Sequence, residues 1–280
     1  MKRTLLTLSL LLWTGLAAAM DRPVYSTGLD QTAQLQKVYD GASTGDTIKL
    51  VPQSGQPFVV SGTLAWTNST ARVVNVEASG ATINLGPGAV LQYGGMLSGG
   101  TTAGQRGYGN WHGGSIYGNV QLINWCYSRW DCNVVGTLSI VADNAAMYNT
   151  LSGNIGTTDG SGPAVLVNLL NDGACANVQN FQDCQFRPGT AGTIVAANKS
   201  AHWMLSTWRF RSCQFECGVA SKLVNVGNAH MLFADCYFEG PWSLGDSGTA
   251  SRFVFRSPGG GGYATWSLDP RAIFEGVAYQ

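Results

Sequence analysis

Short runs of β-branched and aliphatic residues recur along the chain, and glycine, asparagine or serine residues separate them. Runs of this length and composition, bounded by turn-forming residues, predict short β-strands. The clearest examples lie at residues 47–50, 58–60, 73–76, 82–85 and 138–141. The pattern therefore predicts an all-β chain with many short strands and tight corners.

A six-residue motif, Phe-x-x-Cys-x-Phe, occurs three times in the second half of the chain. The copies at 181–186, 210–215 and 233–238 begin 29 and 23 residues apart, and a strand-like run precedes each of them. Repeats of this size cannot bury a core alone and are typical of solenoids. Because their content is short strands and glycine or asparagine corners, they predict a parallel β-helix. A β-sandwich, whose strands recur every ~8–12 residues, is the alternative.

Three segments near the N-terminus follow one another in an informative order: TAQLQKVY at 32–39, GDTIKL at 45–50 and GATI at 80–83. In this order they resemble the opening of the right-handed parallel β-helices of the pectin-lyase-like superfamily, which includes phage tailspikes. The resemblance implies a single-stranded right-handed parallel β-helix whose short N-terminal helix covers the first coil and protects an open sheet edge. It also implies a carbohydrate substrate or ligand, and a homotrimer in tailspike-like members. The resemblance concerns the fold and does not specify an activity.

The composition agrees with such a fold and excludes several other classes of protein. The chain has 37 glycines in 280 residues, 45% hydrophobic residues and 11% charged residues, with a formal net charge of zero. A neutral chain lacks the surplus of lysine and arginine that neutralises phosphates, so no nucleic-acid partner is expected. High hydrophobicity with low net charge argues against disorder, and abundant glycine argues against a helical bundle.

The N-terminus has the three parts of a secretory signal peptide: Lys2 and Arg3, the apolar run 5–12, and three alanines at 17–19. The apolar run is shorter than the ~20 residues that span a bilayer, so no stable membrane insertion is expected. A membrane anchor or a buried helix is the alternative. The prediction is a signal peptide at 1–19, an N-terminal cap with a short amphipathic helix at 20–46, and a β-helix at 47–280. Export places the protein in the periplasm, outside the cell or on a virion.

The seven cysteines would then lie in a compartment where disulfides persist. Because seven is odd, at least one thiol is free or pairs between chains. Cys126 and Cys132 are close enough in sequence for a disulfide to close a small loop. The motif cysteines Cys184, Cys213 and Cys236 are predicted to stack in an interior column. Buried free thiols are favoured there over a disulfide, since neighbours in a parallel sheet are rarely oriented for a bridge.

Alternation along each motif places acidic residues on the outside of the predicted solenoid. Asp183 and Asp235 would lie two coils and ~10 Å apart, and Glu216 and Glu239 one coil and ~5 Å apart. Glycosidases use carboxylate pairs ~6.5–9.5 Å or ~5–5.5 Å apart, so these four residues are the candidate catalytic acids. The alternative is a solvated ladder in which Arg187 neutralises Glu216.

Aromatic residues are dense between positions 106 and 131, where there are six: Tyr108, Trp111, Tyr117, Trp125, Tyr127 and Trp130. Exposed aromatic faces beside polar groups suit the apolar faces and hydroxyl rims of sugars. Five of them are therefore candidate sugar contacts, together with two outward residues of the repeats: Tyr108, Trp111, Trp125, Tyr127, Trp130, Arg187 and Tyr237. Core packing or a subunit contact is the alternative.

Motifs for known chemistry are otherwise missing from the sequence. His112, His202 and His230 lack metal-ligand spacing, and the His112-Gly113 pair has no acidic partners nearby in sequence. We find no nucleotide-binding glycine motif and no G-x-S-x-G elbow, and we expect no cofactor or metal. The predicted function is recognition of cell-surface polysaccharide by an exported or virion-displayed β-helix. The alternatives are a polysaccharide depolymerase, acting as a glycoside hydrolase or lyase on the lateral face, and a structural spacer.

Overall fold

The computed structural model of the protein describes residues 19–67, 72–98, 104–156, 162–171, 173–187, 192–196, 204–216, 221–225, 228–240, 242–244, 251–260 and 270–275. The predicted signal peptide lies outside these residues except for its last position. The described chain is wound into successive coils, and each full coil passes through three walls of parallel strands.

The first wall is the longest series of paired strands in the described chain. It contains, in spatial order, β1 (Asp21–Tyr25), β2 (Thr47–Val51), β5 (Asn75–Glu77), β8 (Trp111–Tyr117), β10 (Arg129–Val135), β12 (Ala145–Gly156), β14 (Cys175–Arg187), β16 (Met204–Arg211), β20 (Asn228–Ala234), β23 (Arg252–Arg256) and β25 (Ala272–Glu275). Four of these strands are long enough to continue into the second wall.

The second wall joins the C-terminal halves of β8, β10, β12 and β14 to five short strands: β3 (Phe58–Val60), β6 (Thr82–Leu85), β17 (Gln214–Glu216), β21 (Tyr237–Glu239) and β24 (Gly259–Gly260). The third wall is a separate sheet of β4 (Leu64–Thr67), β7 (Val90–Gly94), β9 (Asn119–Ile123), β11 (Leu138–Ala142), β13 (Val165–Leu169), β15 (Ile194–Ala196) and β19 (Val224–Asn225). Beside it, β18 (Ser221–Lys222) pairs with β22 (Trp242–Ser243).

The strand register establishes the parallel β-helix that the sequence predicts. Phe181 pairs with Phe210, and Phe210 pairs with Phe233, so the three motif copies occupy equivalent positions on consecutive coils. Within the described chain, each pairing between these strands is parallel, as the pairs β10–β12 and β11–β13 illustrate. A β-sandwich would require antiparallel pairing, so that alternative is excluded.

Columns of stacked aromatic rings fill the interior, with one ring per coil. Phe181, Phe210 and Phe233 are buried, with ring centroids 4.9 and 4.7 Å apart and planes within 9° of parallel. The second phenylalanines of the motif, at 186, 215 and 238, form a neighbouring column at 4.9 and 4.8 Å. Stacking at the coil repeat adds to the free energy gained by burying each ring.

A left-handed backbone corner explains how residues three apart in the motif both face the interior. In an unbroken strand Phe181 and Cys184 would point to opposite faces, because side chains alternate. Asp183 has a φ of 53°, and the equivalent Ser212 and Asp235 have φ values of 51° and 53°. The corner shifts the alternation by one residue, so that Phe181 and Cys184 are both buried. It also separates the first wall from the second, with Asp183 and Asp235 exposed at the bend.

The N-terminal helix α1 (Thr32–Asp40) packs on the first coil as the resemblance implied. Its apolar residues Leu35 and Tyr39 are buried, and the Tyr39 ring stacks on Trp66 with centroids 5.4 Å apart. Strand β1 precedes the helix and pairs in parallel with β2, so the sheet begins at Asp21 and not at the predicted boundary of residue 47. The sequence did not predict this strand because it contains Pro23, and proline argues against a strand. Proline is tolerated there because β1 is an edge strand.

All six described cysteines are free thiols, and Cys217 lies outside the described residues. The Cys126–Cys132 disulfide that the spacing allowed is not formed: both side chains are buried and donate separately to the carbonyls of Ala145 and Gly114. The interior column of motif thiols is confirmed. Its members donate to backbone carbonyls of the preceding coil, through the contacts Cys184–Leu151, Cys213–Phe181 and Cys236–Phe210.

Candidate functional site

A column of uncharged polar side chains runs along the outside of the second wall, with one residue per coil. In register order its members are Ser115, Asn133, Asn154, Gln185, Gln214 and Tyr237. The first three members bond to one another: Asn133 donates to the Ser115 hydroxyl at 3.3 Å and accepts from the Asn154 backbone at 2.9 Å. The sequence places them outward because they alternate with buried residues such as Val134 and Ile155. We call this series the amide column.

A groove of about 420 Å³ lies beside the amide column. Its polar and aromatic lining comes from Ser115, Tyr117, Asn133, Asn154, Gln185 and Arg187. Tyr117 is 47% exposed, so its ring is accessible at one end of the groove. The arrangement offers hydrogen-bond donors, acceptors and an aromatic surface along a line that crosses several coils.

The acidic pair predicted on this wall is in register, with Glu216 half-buried and Glu239 exposed. Glu216 pairs with Glu239 on the next coil. The Glu216 carboxylate accepts hydrogen bonds from Gln185 Nε2 at 2.5 Å, Gln214 Nε2 at 2.8 Å and Arg187 Nε at 2.9 Å. These contacts match the alternative of a neutralised ladder. The catalytic assignment of Asp183, Glu216, Asp235 and Glu239 stays a prediction.

The three tryptophans assigned to a sugar platform are buried instead. Trp111 and Trp130 are 0% exposed and Trp125 is 1% exposed. Trp111 and Trp130 occupy inward positions on β8 and β10, where their rings lie 5.0 Å apart beneath Tyr93. Their assignment as ligand contacts is therefore wrong, and core packing accounts for this part of the aromatic cluster.

Tyrosines form a separate stack on the outside of the solenoid. Tyr108, Tyr127 and Tyr148 follow one another with centroids 6.4 and 4.9 Å apart, and the last two are 60% and 50% exposed. Tyr127 and Tyr148 have φ values of 52° and 59°, an unusual conformation for bulky residues. Because the rings cover one another's faces, the stack presents mainly ring edges and hydroxyls. Sequence reasoning missed Tyr148, although the spacing of the three tyrosines equals one coil.

A histidine–carboxylate cluster lies where the outer face of the first wall approaches the corner. His112 Nδ1 lies 2.9 Å from Asp131 Oδ2, and the Ser152 hydroxyl donates to Asp131 Oδ1 at 3.1 Å. Glu77 is the register neighbour of His112 on the preceding coil. Desolvation opposes ionisation of Glu77, but hydrogen bonds from Ser79 and electrostatic attraction to His112 lower the pKa of Glu77 overall. The sequence suggested that His112 lacked acidic partners; stacking supplies them from neighbouring coils.

No cluster of three or more histidine, cysteine, aspartate or glutamate side chains within the described ranges is arranged to hold a metal ion. In the same part of the chain, no helix has the length and apolar character needed to cross a membrane.

Comparisons with known proteins identify no family for this chain. No family model matches it, and no curated protein matches it. Among solved structures, a polygalacturonase from Erwinia carotovora ssp. carotovora is similar with a TM-score of 0.35 and 11% sequence identity, over 92% of this chain and 96% of that chain. The parallel β-helix assignment rests on the strand register itself.

Proposed function

We propose that the protein is an exported β-helix that binds polysaccharide along the outside of its second wall. The observation behind this proposal is the amide column beside the groove of Tyr117 and Arg187. Sugar hydroxyls both donate and accept hydrogen bonds, and primary amides offer both capacities without a charge. The Tyr117 ring adds an apolar surface of the kind that packs on a sugar ring.

The repetition of the amide column favours a polymer over a single sugar. Each coil presents an equivalent polar side chain at a repeat of ~4.8 Å, so one extended chain can contact several coils at once. A single hydrogen bond contributes only about 0.5–1.5 kcal/mol net, and useful affinity therefore requires several contacts. A ligand with repeating hydroxyl groups meets this requirement.

The predicted signal peptide at 1–19 supports an extracytoplasmic setting for this binding, in which cell-surface polysaccharide is the accessible partner. An adhesion or receptor-binding role fits the amide column, which contains hydrogen-bonding groups but no carboxylate.

The test is affinity measurement against a panel of bacterial surface polysaccharides, with Asn154→Ala as the groove variant. Asn154 is exposed and lines the groove, so its truncation should weaken binding about tenfold without unfolding the protein. The matched control is Gln121→Ala, which removes an amide that bonds to Gln92 on the third wall. Equal affinities of both variants and wild type would place binding elsewhere, and no binding to any glycan would favour a structural spacer.

Cleavage of the bound polysaccharide is a second candidate function, and the His112–Asp131 contact favours it. A histidine oriented by a carboxylate is an arrangement used for general acid–base catalysis. Incubation with the same panel, followed by assays for reducing ends and unsaturated products, tests this activity. His112→Gln should abolish cleavage while leaving affinity unchanged; absence of product from the wild-type protein would reject the enzyme.

A further inference from the structure

Basic residues concentrate on the outside of the first wall where β16, β20 and β23 lie side by side. Four of the chain's sixteen lysines and arginines are exposed there, with one exposed histidine: Arg209, Arg211, Arg252, Arg256 and His230. We call this group the arginine face. Such a concentration is unexpected in a neutral chain in which 11% of residues are charged.

The register turns the arginine face into a cleft. Arg211 pairs with Ala234, and Ala234 pairs with Arg256, so two guanidinium groups flank a small side chain. Their backbone positions are two coils, or ~9.6 Å, apart. A groove of about 320 Å³ includes these three residues together with Arg209 and Gln182. The short alanine leaves space between the arginines for a small charged group.

Few carboxylates oppose this positive charge. Arg256 is paired with Glu275, to which it donates through Nε at 3.0 Å and Nη2 at 2.8 Å. Asp183 and Asp235 lie at the neighbouring corner and face solvent. Within the part of the chain that the structure describes, Arg209 and Arg211 have no ion-pair partner. The guanidinium groups of Arg209 and Arg211 are therefore available to an anion, while Arg256, across Ala234, is already paired with Glu275.

We propose that the arginine face binds the anionic substituents, carboxylate or sulfate, of an acidic polysaccharide. This inference rests on the proposed polysaccharide function; it adds a second contact region, on the first wall, and with it the class of glycan. Guanidinium groups bind carboxylates and sulfate-like oxyanions through paired hydrogen bonds, which makes arginine better suited than lysine to planar recognition. Asn180 and Gln182 lie on the preceding coil, where they pair with Arg209 and Arg211. Their amides supply uncharged donors and acceptors for the sugar hydroxyls.

The experiment uses three polymers with one backbone: dextran, carboxymethyl dextran and dextran sulfate. We expect the full protein to bind one or both anionic polymers at least about tenfold more tightly than dextran, with affinity falling as salt rises. Preference between the two anionic polymers identifies carboxylate or sulfate as the recognised group. Arg211→Gln should lower the affinity for the preferred polymer about tenfold, because it removes the charge but keeps an amide.

The matched control is Lys37→Ala, which removes one exposed positive charge from helix α1, on the N-terminal coil. Thermal unfolding of both variants verifies that each is folded. Equal affinity for all three polymers, or equal losses in Arg211→Gln and Lys37→Ala, would overturn the inference. If neutral glycans still bind and Asn154→Ala lowers their affinity, the proposed function stands although this inference fails. If no glycan binds at all, both proposals fail.

Discussion

Arg187 Nε donates a 2.9 Å hydrogen bond to Oε2 of Glu216, one coil further along the β-helix. Two glutamine amides bond to the other carboxylate oxygen of Glu216. A carboxylate with these partners is held by neighbouring side chains and compensated by a cation. The contact thus favours a ligand-positioning role for Glu216, since it holds Arg187 at the edge of the groove.

Replacing Glu216 should therefore have a small effect on stability. Glu216→Gln is expected to lower the free energy of unfolding by less than about 1 kcal/mol, because a partly exposed ion pair contributes little. Urea denaturation measures this change. Glu239→Gln serves as the control on the next coil. Any polysaccharide cleavage should persist in both variants. Loss of cleavage in folded Glu216→Gln or Glu239→Gln would instead support the assignment of these two residues as catalytic acids.

Truncation of the interior phenylalanine column should be strongly destabilising. Phe210 is fully buried between the Phe181 and Phe233 rings, so Phe210→Ala should lower the free energy of unfolding by about 3–5 kcal/mol. Phe274 stacks on Phe255 but is 37% exposed, and Phe274→Ala should cost clearly less. Chemical denaturation compares the two variants, and similar losses would contradict the described column.

The left-handed corner can be tested at Asp235. Its φ of 53° is tolerated by aspartate and glycine but strains a β-branched residue, so Asp235→Val should cost about 2 kcal/mol. Asp235→Gly should stay within about 1 kcal/mol of wild type. Gln182→Val makes the β-branched change in an extended strand and should be close to neutral. Equal effects of valine at 182 and 235, measured by thermal unfolding, would contradict the corner.

The Asp46 carboxylate should make stability depend on pH. Backbone N–H groups of Ser43 and Met20, together with Arg22, lower the pKa of Asp46 from 3.8 to about 2. Because the folded pKa is lower than the unfolded pKa, the stabilisation is complete above pH ~5 and is lost as pH falls from ~4 to ~2. The free-energy difference between wild type and Asp46→Asn should therefore shrink by about 1–2 kcal/mol across that window. A difference that stays constant with pH would refute this assignment.

The sequence was sufficient for the solenoid because the Phe-x-x-Cys-x-Phe copies are themselves the unit of stacking. Phe181 and Phe210 are 29 residues apart in sequence and adjacent in the core, which the motif made visible. The buried thiol column followed from the same periodicity. The repeat could not show the residue-level corner at Asp183, since strict alternation does not reveal a single left-handed residue.

The candidate site was less accessible to sequence reasoning because its contacts join different coils. The contact between Asp131 and His112 could be predicted only if the lengths of the turns between their strands were known. Aromatic density could not separate buried Trp130 from exposed Tyr127, since the side that a residue faces depends on the local register. Arg211 and Arg256 likewise come together across Ala234 through stacking alone.

The central claim, polysaccharide binding along the second wall, is tested most directly by oxidative footprinting of exposed tyrosines with and without a bound polysaccharide. Tyr117 on the groove is 47% exposed, and Tyr25 on strand β1 is 49% exposed, so the two rings start with similar accessibility. We predict that saturating polysaccharide protects Tyr117 from oxidation and leaves Tyr25 unchanged. Unaltered oxidation of Tyr117 while polysaccharide is demonstrably bound would contradict the account.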